Sequence, residues 1–317
     1  MPDNKPIRRI AVIGTGVIGA SWTALFLAKG LHVAATDVAP NAEAALRRFV
    51  ETAWPALERL GLAPGASQQN LTFDATLATA VKGADLVQEN GPERIDFKRK
   101  LYGELDALLP AEVIIASSSS GLTMSEIQVG CPAHPERCVI AHPFNPPHLI
   151  PLVEIVGGAK TSEETIRRAS DFYIGLGKKA IRLNKEVPGH VANRLQAALA
   201  REVYHLVDDG VVSVADVDAA LCWGPGLRWG IMGQVLLNHL GGGQGGIDHF
   251  MQQFVGPISA WWKVLGSPVL TPELQQKLID GLHAEVGTRS IDTLAAERDE
   301  ILLGLLELRA KAAQQKT

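Results

Sequence analysis

The sequence predicts an α/β protein in which a doubly wound, mainly parallel sheet is followed by a second, all-α domain. Short apolar runs of strand length alternate with helical patterns over the first 187 residues, the order that builds parallel β-α-β units. From Pro188 onward the pattern is helical, with glycine-rich joints and no convincing strand. We therefore predict two domains, residues 1–187 and residues 188–317.

Composition supports a folded protein that does not bind nucleic acid. The chain has 317 residues, of which 46% are hydrophobic and 20% charged, enough for two sizeable cores. A formal net charge of −4 and the lack of a Lys/Arg run argue against nucleic acid as a partner. Anionic small molecules stay compatible with this charge, because one arginine in a pocket can bind them.

Three features favour the cytoplasm. Cys131, Cys138 and Cys222 are odd in number and lack metal-ligand spacing, which suits buried thiols in a reducing compartment and predicts no metal site. The first six residues lead straight into a strand, without the layout of a signal peptide. No apolar run approaches the roughly 18 residues of a membrane span, so no membrane association is expected.

A glycine-rich turn after the first strand has the form that binds dinucleotides. A strand over residues 7–13 precedes Gly14-Thr15-Gly16-Val17-Ile18-Gly19, a helix, and a second strand over residues 31–36. In this motif the first glycine permits a tight turn, the second admits the pyrophosphate, and the third lets helix and strand pack closely. The helix N-terminus, at Val17 and Ile18, would face the phosphates. The context therefore predicts a Rossmann-type domain with a bound dinucleotide.

Asp37 ends the second strand and indicates which dinucleotide is bound. It lies 18 residues after Gly19, where an acid accepts hydrogen bonds from the ribose 2′-hydroxyl. Its charge would repel a 2′-phosphate, so NAD is favoured over NADP.

Predicted strands and helices continue to alternate up to residue 183, and after that only helices and loops are predicted. Strands are predicted at 84–89, 113–116, 139–141, 152–156 and 179–183, with helices at 41–60 (capped by Asn41, kinked or divided at Pro55), 93–109 and 161–175. In the second domain, helices are predicted at 188–209, from Ser213 to Leu221, from Thr271-Pro272 onward and at 291–313, with loops at 224–230 and 241–246.

Polar residues at the predicted strand ends form a candidate catalytic site. Asp37, Ser120 and His142 each lie at the end of a predicted strand, and ligands of parallel sheets bind beyond the carboxyl ends of the strands. His142 ends an apolar strand and precedes a loop stiffened by Pro146 and Pro147. Histidine is the usual general base near neutral pH, so His142 is the candidate base.

Glu154 is the candidate partner of His142. It lies 12 residues later in an apolar strand, where a carboxylate is costly unless it is paired. If the proline-rich loop folds back, Glu154 can bind the ring nitrogen that does not take the proton, fix the tautomer and raise the basicity. The alternative is a loop histidine and an unrelated glutamate at a strand edge. A cofactor motif and Ser120 on the same predicted rim favour the pair.

Asn193 and Ser120 each allow two interpretations. Asn193 lies early in the helix predicted from residue 188, and asparagine is a poor mid-helix residue unless its side chain is used elsewhere. It would donate to a substrate oxygen, or it is simply solvated. The serine run 117–120 either binds substrate through Ser120 or is a plain strand-to-helix turn.

Together these motifs resemble the 3-hydroxyacyl-CoA dehydrogenase superfamily. The matching segments follow one another in order over nearly the whole chain: Gly14-x-Gly16-x-x-Gly19, Glu93 with Lys98, the serine run, His142-Pro-Phe-Asn-Pro, Pro151-Leu-Val-Glu154 and Gly189-His-Val-Ala-Asn193-Arg194-Leu195.

The resemblance implies a function for each matching residue. His142 is then the base, Glu154 orients it, and Ser120 and Asn193 contact the substrate. Glu93 and Lys98 fall where the family contacts the nicotinamide ribose and the cofactor or substrate. The implied reaction is reversible hydride transfer to NAD while the base takes the hydroxyl proton. The implied assembly is a homodimer through the helical domain.

Departures from the acyl-CoA pattern indicate a different substrate. The chain reads Ser118-Ser119-Ser120-Gly121 where those enzymes usually have Asn-Thr-Ser-Ser, and Gly189-His190 where they have Gly-Phe. The segment Gly226-Leu-Arg228-Trp-Gly-Ile-Met-Gly233 replaces their Gly-Tyr-Pro-Met-Gly-Pro loop. It resembles the branch of lambda-crystallin/L-gulonate 3-dehydrogenase and L-carnitine dehydrogenase, and the C-terminal tail is most similar to the carnitine enzyme.

Arg228 predicts that the substrate is a free acid. A guanidinium group binds a carboxylate through two parallel hydrogen bonds, and a neutral thioester has no carboxylate to offer. Alternatively, Arg228 makes a structural salt bridge or stacks on Trp229. Four tryptophans of this domain fit a core or a subunit interface better than a cage for a quaternary ammonium group: Trp223, Trp229, Trp261 and Trp262.

We therefore predict an NAD-dependent dehydrogenase of a small free 3-hydroxy acid, such as a carnitine-, gulonate- or 3-hydroxybutyrate-like acid. Two alternatives stay open. One is a 3-hydroxyacyl-CoA dehydrogenase that acts on a CoA thioester, and the other is a non-catalytic NAD-binding, crystallin-like protein.

Overall fold

The computed structural model describes residues 6–315 and divides into two compact units, Met1–Asn193 and Arg194–Thr317. The expectation that no signal peptide precedes the first strand concerns residues 1–5, which lie outside the described part. The domain boundary predicted between residues 187 and 188 stays a prediction.

One eight-stranded sheet, in the order β3-β2-β1-β4-β5-β6-β7-β8, forms the centre of the first unit. The strands are β1 (Arg9–Ile13), β2 (His32–Thr36), β3 (Leu71–Phe73), β4 (Leu86–Glu89), β5 (Ile114–Ser117), β6 (Cys138–Pro143), β7 (Leu152–Gly157) and β8 (Lys179–Arg182). All neighbouring pairs are parallel except β6 and β7, which are antiparallel. The predicted doubly wound, mainly parallel sheet is confirmed.

Helices cover both faces of this sheet. They are α1 (Val17–Ala28), α2 (Ala42–Leu60), α3 (Leu77–Val81), α4 (Ile95–Leu108), α5 (Met124–Ile127) and α6 (Glu163–Gly175). Successive residues of a strand point to opposite faces. Ile10 and Val12 of β1 accordingly belong to one buried apolar cluster, which includes residues of α1 and α2. Ala11 and Ile13 belong to a second cluster, which includes residues of α4.

Two local predictions for α2 are confirmed only in part. Asn41 precedes the helix, but its φ is 59° and its side chain makes no capping hydrogen bond. Pro55 lies inside the helix without dividing it. A proline removes one backbone hydrogen bond, but here the buried stripe continues from Leu46 and Val50 to Leu57 and holds both halves of the helix on the core.

All the regular elements in the described residues of the second unit are helices. Its helices are α7 (Ala192–Asp208, which begins two residues before the unit boundary), α8 (Val214–Trp223), α9 (Pro225–Trp229), α10 (Gln234–Gly241), α11 (Gly246–Trp262), α12 (Pro272–Val286) and α13 (Ile291–Gln314). Helices α8 and α12 begin after Ser213 and Thr271 as predicted, and the side chains of both residues cap them. No helix in residues 6–315 combines the length and apolarity that crossing a membrane requires.

Two boundaries in this part of the chain differ from the prediction. The helix expected from residue 188 begins at Ala192, because Gly189 and His190 have φ values of 77° and 50° and form a turn. The loop expected at 224–230 contains the short helix α9, whose first residue, Pro225, has a φ that is fixed in the helical range. The glycine run after α10 forms a short 3₁₀ turn, Gly243–Gly245.

Candidate active site

The turn between β1 and α1 has the geometry of a dinucleotide site. Gly14 has a φ of 81°, and a Cβ on Gly19 would lie 1.9 Å from the carbonyl oxygen of Gly14, so neither position accepts a side chain easily. Apart from the adjoining backbone, no atom of residues 6–315 lies within 4 Å of the Cβ position at Gly16, which leaves the backbone there open to a ligand. Helix α1 then begins at Val17 and Ile18 with no capping side chain and no acidic residue in its first turn. Its first N–H groups can therefore bind phosphate.

Asp37 lies beside this turn at the end of β2. Its Oδ2 accepts hydrogen bonds from the backbone N–H of Thr15 (2.6 Å) and the Thr15 hydroxyl (3.1 Å), and its Oδ1 accepts one from the N–H of Ala39 (2.9 Å). Burial raises the pKa of Asp37, but these hydrogen bonds outweigh burial and the net pKa is lowered. The carboxylate is therefore ionised at neutral pH, as the exclusion of a 2′-phosphate requires.

Asp37→Asn is expected to lower the preference for NAD over NADP by roughly tenfold, equivalent to ~1.4 kcal/mol. The amide keeps an acceptor for Thr15 and removes only the charge that repels a 2′-phosphate. Dissociation constants of both dinucleotides, measured by calorimetry, test this, with Asp96→Asn as a control at an exposed acid of the same unit. An unchanged ratio of the two constants would contradict the assignment of Asp37.

His142 and Glu154 are brought together by the one antiparallel strand pair. The register of β6 and β7 places the two residues directly opposite each other. The His142 Nδ1 lies 2.8 Å from the Glu154 Oε2. The side chains are only 7% and 0% exposed. Since a carboxylate accepts, Nδ1 donates, and Nε2 is left with the lone pair that a general base needs.

The second oxygen of Glu154 is held by the start of α7. Its Oε1 accepts hydrogen bonds from the backbone N–H groups of Val191 (2.9 Å) and Ala192 (3.0 Å). Burial raises the pKa of Glu154, but the hydrogen bond from His142 and those from Ala192 and Val191 outweigh it, so the pKa is lowered. An ionised Glu154 fixes the tautomer of His142 and would stabilise its protonated form.

Glu154→Gln is expected to reduce turnover by about 10²–10⁴-fold, because a neutral amide neither fixes the tautomer nor balances a positive imidazolium. The pH dependence of stability should also change. Since folding lowers the pKa of Glu154, the stabilisation from its ionised form is present above the unfolded pKa and is lost as pH falls through the folded pKa. Melting curves of wild type and variant should therefore converge in acid. A constant gap down to about pH 3 would contradict this.

The loop that joins β6 to β7 is anchored by buried side chains. The Lys178 ammonium donates to the carbonyl oxygens of Pro147 and Ile150. The Ser21 hydroxyl accepts a hydrogen bond from the backbone N–H of His148 (2.8 Å). Burial, with a smaller contribution from the charge of Lys29, lowers the pKa of Lys178 to about 7. These contacts hold the segment that follows His142.

Three of the four serines at the end of β5, residues 117–120, are used to build the turn. The hydroxyl of Ser117 donates to Glu89 (2.6 Å), that of Ser118 to Asn90 (2.7 Å) and that of Ser119 to Glu93 (2.6 Å). Within residues 6–315 the hydroxyl of Ser120 donates to no other residue. Ser120 is therefore the serine of this run whose hydroxyl remains available to a substrate.

Glu93 organises the same loop. Besides Ser119, its Oε1 accepts the backbone N–H groups of three successive residues, Ser120 (3.1 Å), Gly121 (2.6 Å) and Leu122 (3.0 Å). Burial raises the pKa of Glu93, but these hydrogen bonds and the nearby charge of Lys98 bring it below the usual value.

Lys98 is enclosed beneath this loop. Its ammonium lies 2.8 and 2.9 Å from the two carboxylate oxygens of Glu89 and 3.8 Å from Glu93, and its side chain is 1% exposed. The contact with cofactor or substrate that the resemblance implies for Lys98 stays a prediction. In the structure the Lys98 ammonium lies between the carboxylates of Glu89 and Glu93 and stabilises both. The sequence reasoning missed Glu89, although a carboxylate at the end of a buried strand was a signal.

Asn193 is the second residue of α7 and directly follows Ala192, whose N–H binds Glu154. Its side chain makes no hydrogen bond within the described part of the chain. Its contact with the substrate stays a prediction, and its amide is free to make one. His190, which the sequence reasoning noted only as a departure, lies with its ring centroid 5.0 Å from that of His142.

Arg228 lies in α9 of the second unit with an exposed side chain. Among the residues that the structure describes, it forms neither an ion pair nor a ring contact. The Trp229 indole N–H instead donates to Gln234 (2.6 Å). The structural salt bridge and the stacking on Trp229 are therefore not observed. The four tryptophans are 41–80% exposed, so they do not lie in a core of this chain, and their place at a subunit interface stays a prediction.

Comparison with known proteins agrees with this geometry. Residues 9–187 match the model of the 3-hydroxyacyl-CoA dehydrogenase NAD-binding domain, and residues 189–285 match the model of the C-terminal domain of that family. The chain belongs to the 3-hydroxyacyl-CoA dehydrogenase family. It is an NAD-dependent oxidoreductase of that family, as predicted.

Relatives within this family are similar along almost their full length. The L-carnitine dehydrogenase of Bacillus cereus is 48% identical over 305 residues, 96% of this chain and 93% of the relative. That of Pseudomonas putida is 48% identical over 307 residues, 97% and 95% of the two chains. Among solved structures, an NAD⁺-dependent 5-formyl-3-hydroxy-2-methylpyridine 4-carboxylic acid 5-dehydrogenase is similar, with 32% identity, a TM-score of 0.81 and coverage of 96% and 98%.

Proposed function

We propose that this protein oxidises the secondary alcohol of a small free 3-hydroxy acid with NAD and reduces the 3-keto acid in the reverse direction. The observation that carries the proposal is the buried His142–Glu154 pair, with its 2.8 Å hydrogen bond, in the same unit as the dinucleotide turn. The similarity to L-carnitine dehydrogenases supports the substrate class, since carnitine is a carboxylic acid with a hydroxyl group at C3.

His142 acts as the general base in this reaction. Its Nε2 takes the proton of the substrate hydroxyl, and ionised Glu154 stabilises the imidazolium that results. The Ser120 hydroxyl and the Asn193 amide bind the reacting oxygen, which keeps its proton directed at the base. When bound, NAD accepts the hydride that leaves C3 of the substrate.

Arg228 binds the carboxylate of the acid. Its exposed guanidinium has no partner within residues 6–315 and can form two parallel hydrogen bonds to a carboxylate. The preference for free acids follows, because the acyl group of a CoA thioester has no carboxylate for Arg228 to bind.

A CoA thioester is the second candidate substrate, and the match of both family models favours it. NADH absorbance, measured with carnitine, gulonate, 3-hydroxybutyrate and 3-hydroxybutyryl-CoA, separates the candidates. We expect NADH from at least one free acid and little from the thioester. The reverse preference would establish the second candidate. No NADH from any substrate, in a protein that binds NAD, would favour a non-catalytic, crystallin-like function.

We also propose a homodimer, formed through the helical part of the chain. Among the described residues after Asn193, 25 large apolar side chains are exposed, whereas only four are buried: Val207, Val217, Leu274 and Leu303. A helical unit with so few buried apolar residues needs a further apolar surface to cover its exposed ones.

We place the protein in the cytoplasm, which its three free cysteines support.

Sedimentation analysis should give twice the chain mass of 33.9 kDa. Replacing Trp261 and Trp262, which are 61% and 70% exposed, by glutamate should shift the mass toward the monomer, because charges cannot be buried unpaired in an apolar contact. Val129→Glu, at a 62% exposed apolar residue of the first unit, is the matched control and should remain dimeric. A wild-type protein that is monomeric at all concentrations would contradict the proposal.

A further inference from the structure

His190 is a buried histidine next to the general base, and the reaction described above gives it no function. It is 2% exposed, and its ring lies 5.0 Å from the His142 ring, with 46° between the two planes. It follows Gly189 in the turn before α7 and has a φ of 50°. A non-glycine residue rarely adopts this conformation unless its surroundings hold it there.

The hydrogen bond of His190 identifies its tautomer. Its Nε2 lies 3.0 Å from the backbone carbonyl oxygen of Ser119. A carbonyl oxygen only accepts, so Nε2 carries the hydrogen. The Nδ1 atom is buried and has no hydrogen-bond partner in the described residues. A second proton would therefore place an N–H group and a positive charge where no acceptor meets them, which favours the neutral ring.

The charged groups around His190 have opposing effects. Burial lowers its pKa and is the largest effect, while the Ser119 carbonyl raises it. The charge of a protonated His142, on β6, lowers it further, and the carboxylates of Glu154, on β7, and Glu93 raise it. The net result is a lowered pKa, so His190 remains neutral near pH 7. His142 differs from it by its direct hydrogen bond to a carboxylate.

The segment of residues 190–192 contacts both the serine loop and the His142–Glu154 pair. The His190 ring binds the carbonyl group of Ser119, immediately before Ser120. The next two backbone N–H groups, of Val191 and Ala192, bind the carboxylate that orients His142. A shift of this segment would therefore move the serine loop and the general base relative to each other.

We propose that His190 is a positioning residue for the reaction. Its neutral Nε2–H···O=C bond fixes the Ser120 loop against the His142–Glu154 pair and leaves His142 as the proton acceptor. The inference rests on the proposed function for its catalytic consequence, whereas the tautomer and the hydrogen bond can be measured without a substrate.

Nitrogen-15 NMR of the wild-type protein tests the tautomer and the hydrogen bond of His190, with the ring signal assigned by correlation to the backbone signals of the same residue. We expect the His190 ring to be neutral and protonated at Nε2 from roughly pH 7 to pH 8. A ring protonated at Nδ1, or one that becomes cationic in this range, would overturn the proposal. Failure of the wild type to oxidise any acid would overturn the proposed function and leave this result intact.

His190→Phe and His190→Gln test whether His190 positions the Ser120 loop for the reaction. Phenylalanine keeps a ring but lacks the donor, so kcat should fall about 10²-fold as the Ser120 loop shifts. Glutamine supplies an N–H donor and should restore kcat to within about tenfold of wild type. The KM for NAD and the acid limb of kcat/KM should stay unchanged. His134→Phe is the control, at a 41% exposed histidine before the start of β6.

Three outcomes would overturn the proposal. They are wild-type kcat in His190→Phe, no recovery in His190→Gln, or a displacement of the acid limb by about one pH unit, which would mean that His190 acts through its charge. Melting temperatures of both variants separate a loss of the fold from a loss of positioning. If neither variant folds, the tautomer measured in the wild type decides.

Discussion

His142→Ala is expected to lower kcat by about 10²–10⁴-fold, the usual contribution of a general base. The variant lacks the nitrogen that takes the hydroxyl proton, and Glu154 keeps only its hydrogen bonds from Val191 and Ala192. NAD binding should be unaffected, because within residues 6–315 the hydrogen bonds of Asp37 and of the glycine turn do not involve His142. Steady-state kinetics and calorimetric titration with NAD measure the two effects separately.

His134→Ala is the matched control for this substitution, since its ring is 41% exposed and its partner is Glu136 rather than a buried carboxylate. It should retain wild-type kcat. A His142→Ala variant that folds, binds NAD and turns over at the wild-type rate would rule out His142 as the base.

Arg228→Met is expected to raise the KM for a free acid by about 10–100-fold, because charge-assisted hydrogen bonds contribute roughly 1.5–3 kcal/mol. The dissociation constant of NAD should not change. Arg228→Lys should be intermediate, because an ammonium group keeps the charge but loses the paired geometry of the guanidinium. KM values for a free acid and for the corresponding CoA thioester, measured with each variant, test this expectation.

Arg298→Met provides the control, at an arginine whose partner is Asp299 on the surface of the same unit. An unchanged KM in Arg228→Met would contradict the proposed contact between Arg228 and the carboxylate. An equal rise in KM for acid and thioester would show that Arg228 supports the fold of its own helix rather than recognising a carboxylate.

Local periodicity was enough to predict most of the fold. The apolar strands and the glycine turn carry their signal within a few residues, so the parallel sheet and the turn at Gly14 were predicted from the sequence. Strand β3 and helix α3 were missed because they have only three and five residues, and tertiary contacts stabilise elements of that length. The turn at Gly189 and His190 was missed because Pro188 also suits a helix start.

The candidate site shows where sequence reasoning ends. The pairing of His142 with Glu154 could be anticipated, since a buried carboxylate needs a partner and a hairpin supplies one. The different functions of the four serines could not be anticipated from the sequence. Their partners Glu89, Asn90 and Glu93 lie 26–28 residues earlier in the chain, and only the alignment of β4 with β5 brings them together. His190 was likewise visible only as a departure from the Gly-Phe of the family pattern.

Deuterium transfer from C3 of the substrate to the nicotinamide ring is the most direct measure of the proposed reaction. With the best free acid, deuterated at C3, mass spectrometry should find one deuterium in the reduced cofactor and none exchanged with solvent. The same substrate incubated with His142→Ala should yield little labelled cofactor. Reduced cofactor without deuterium, or deuterium released to water, would contradict direct hydride transfer from the 3-hydroxy acid to NAD.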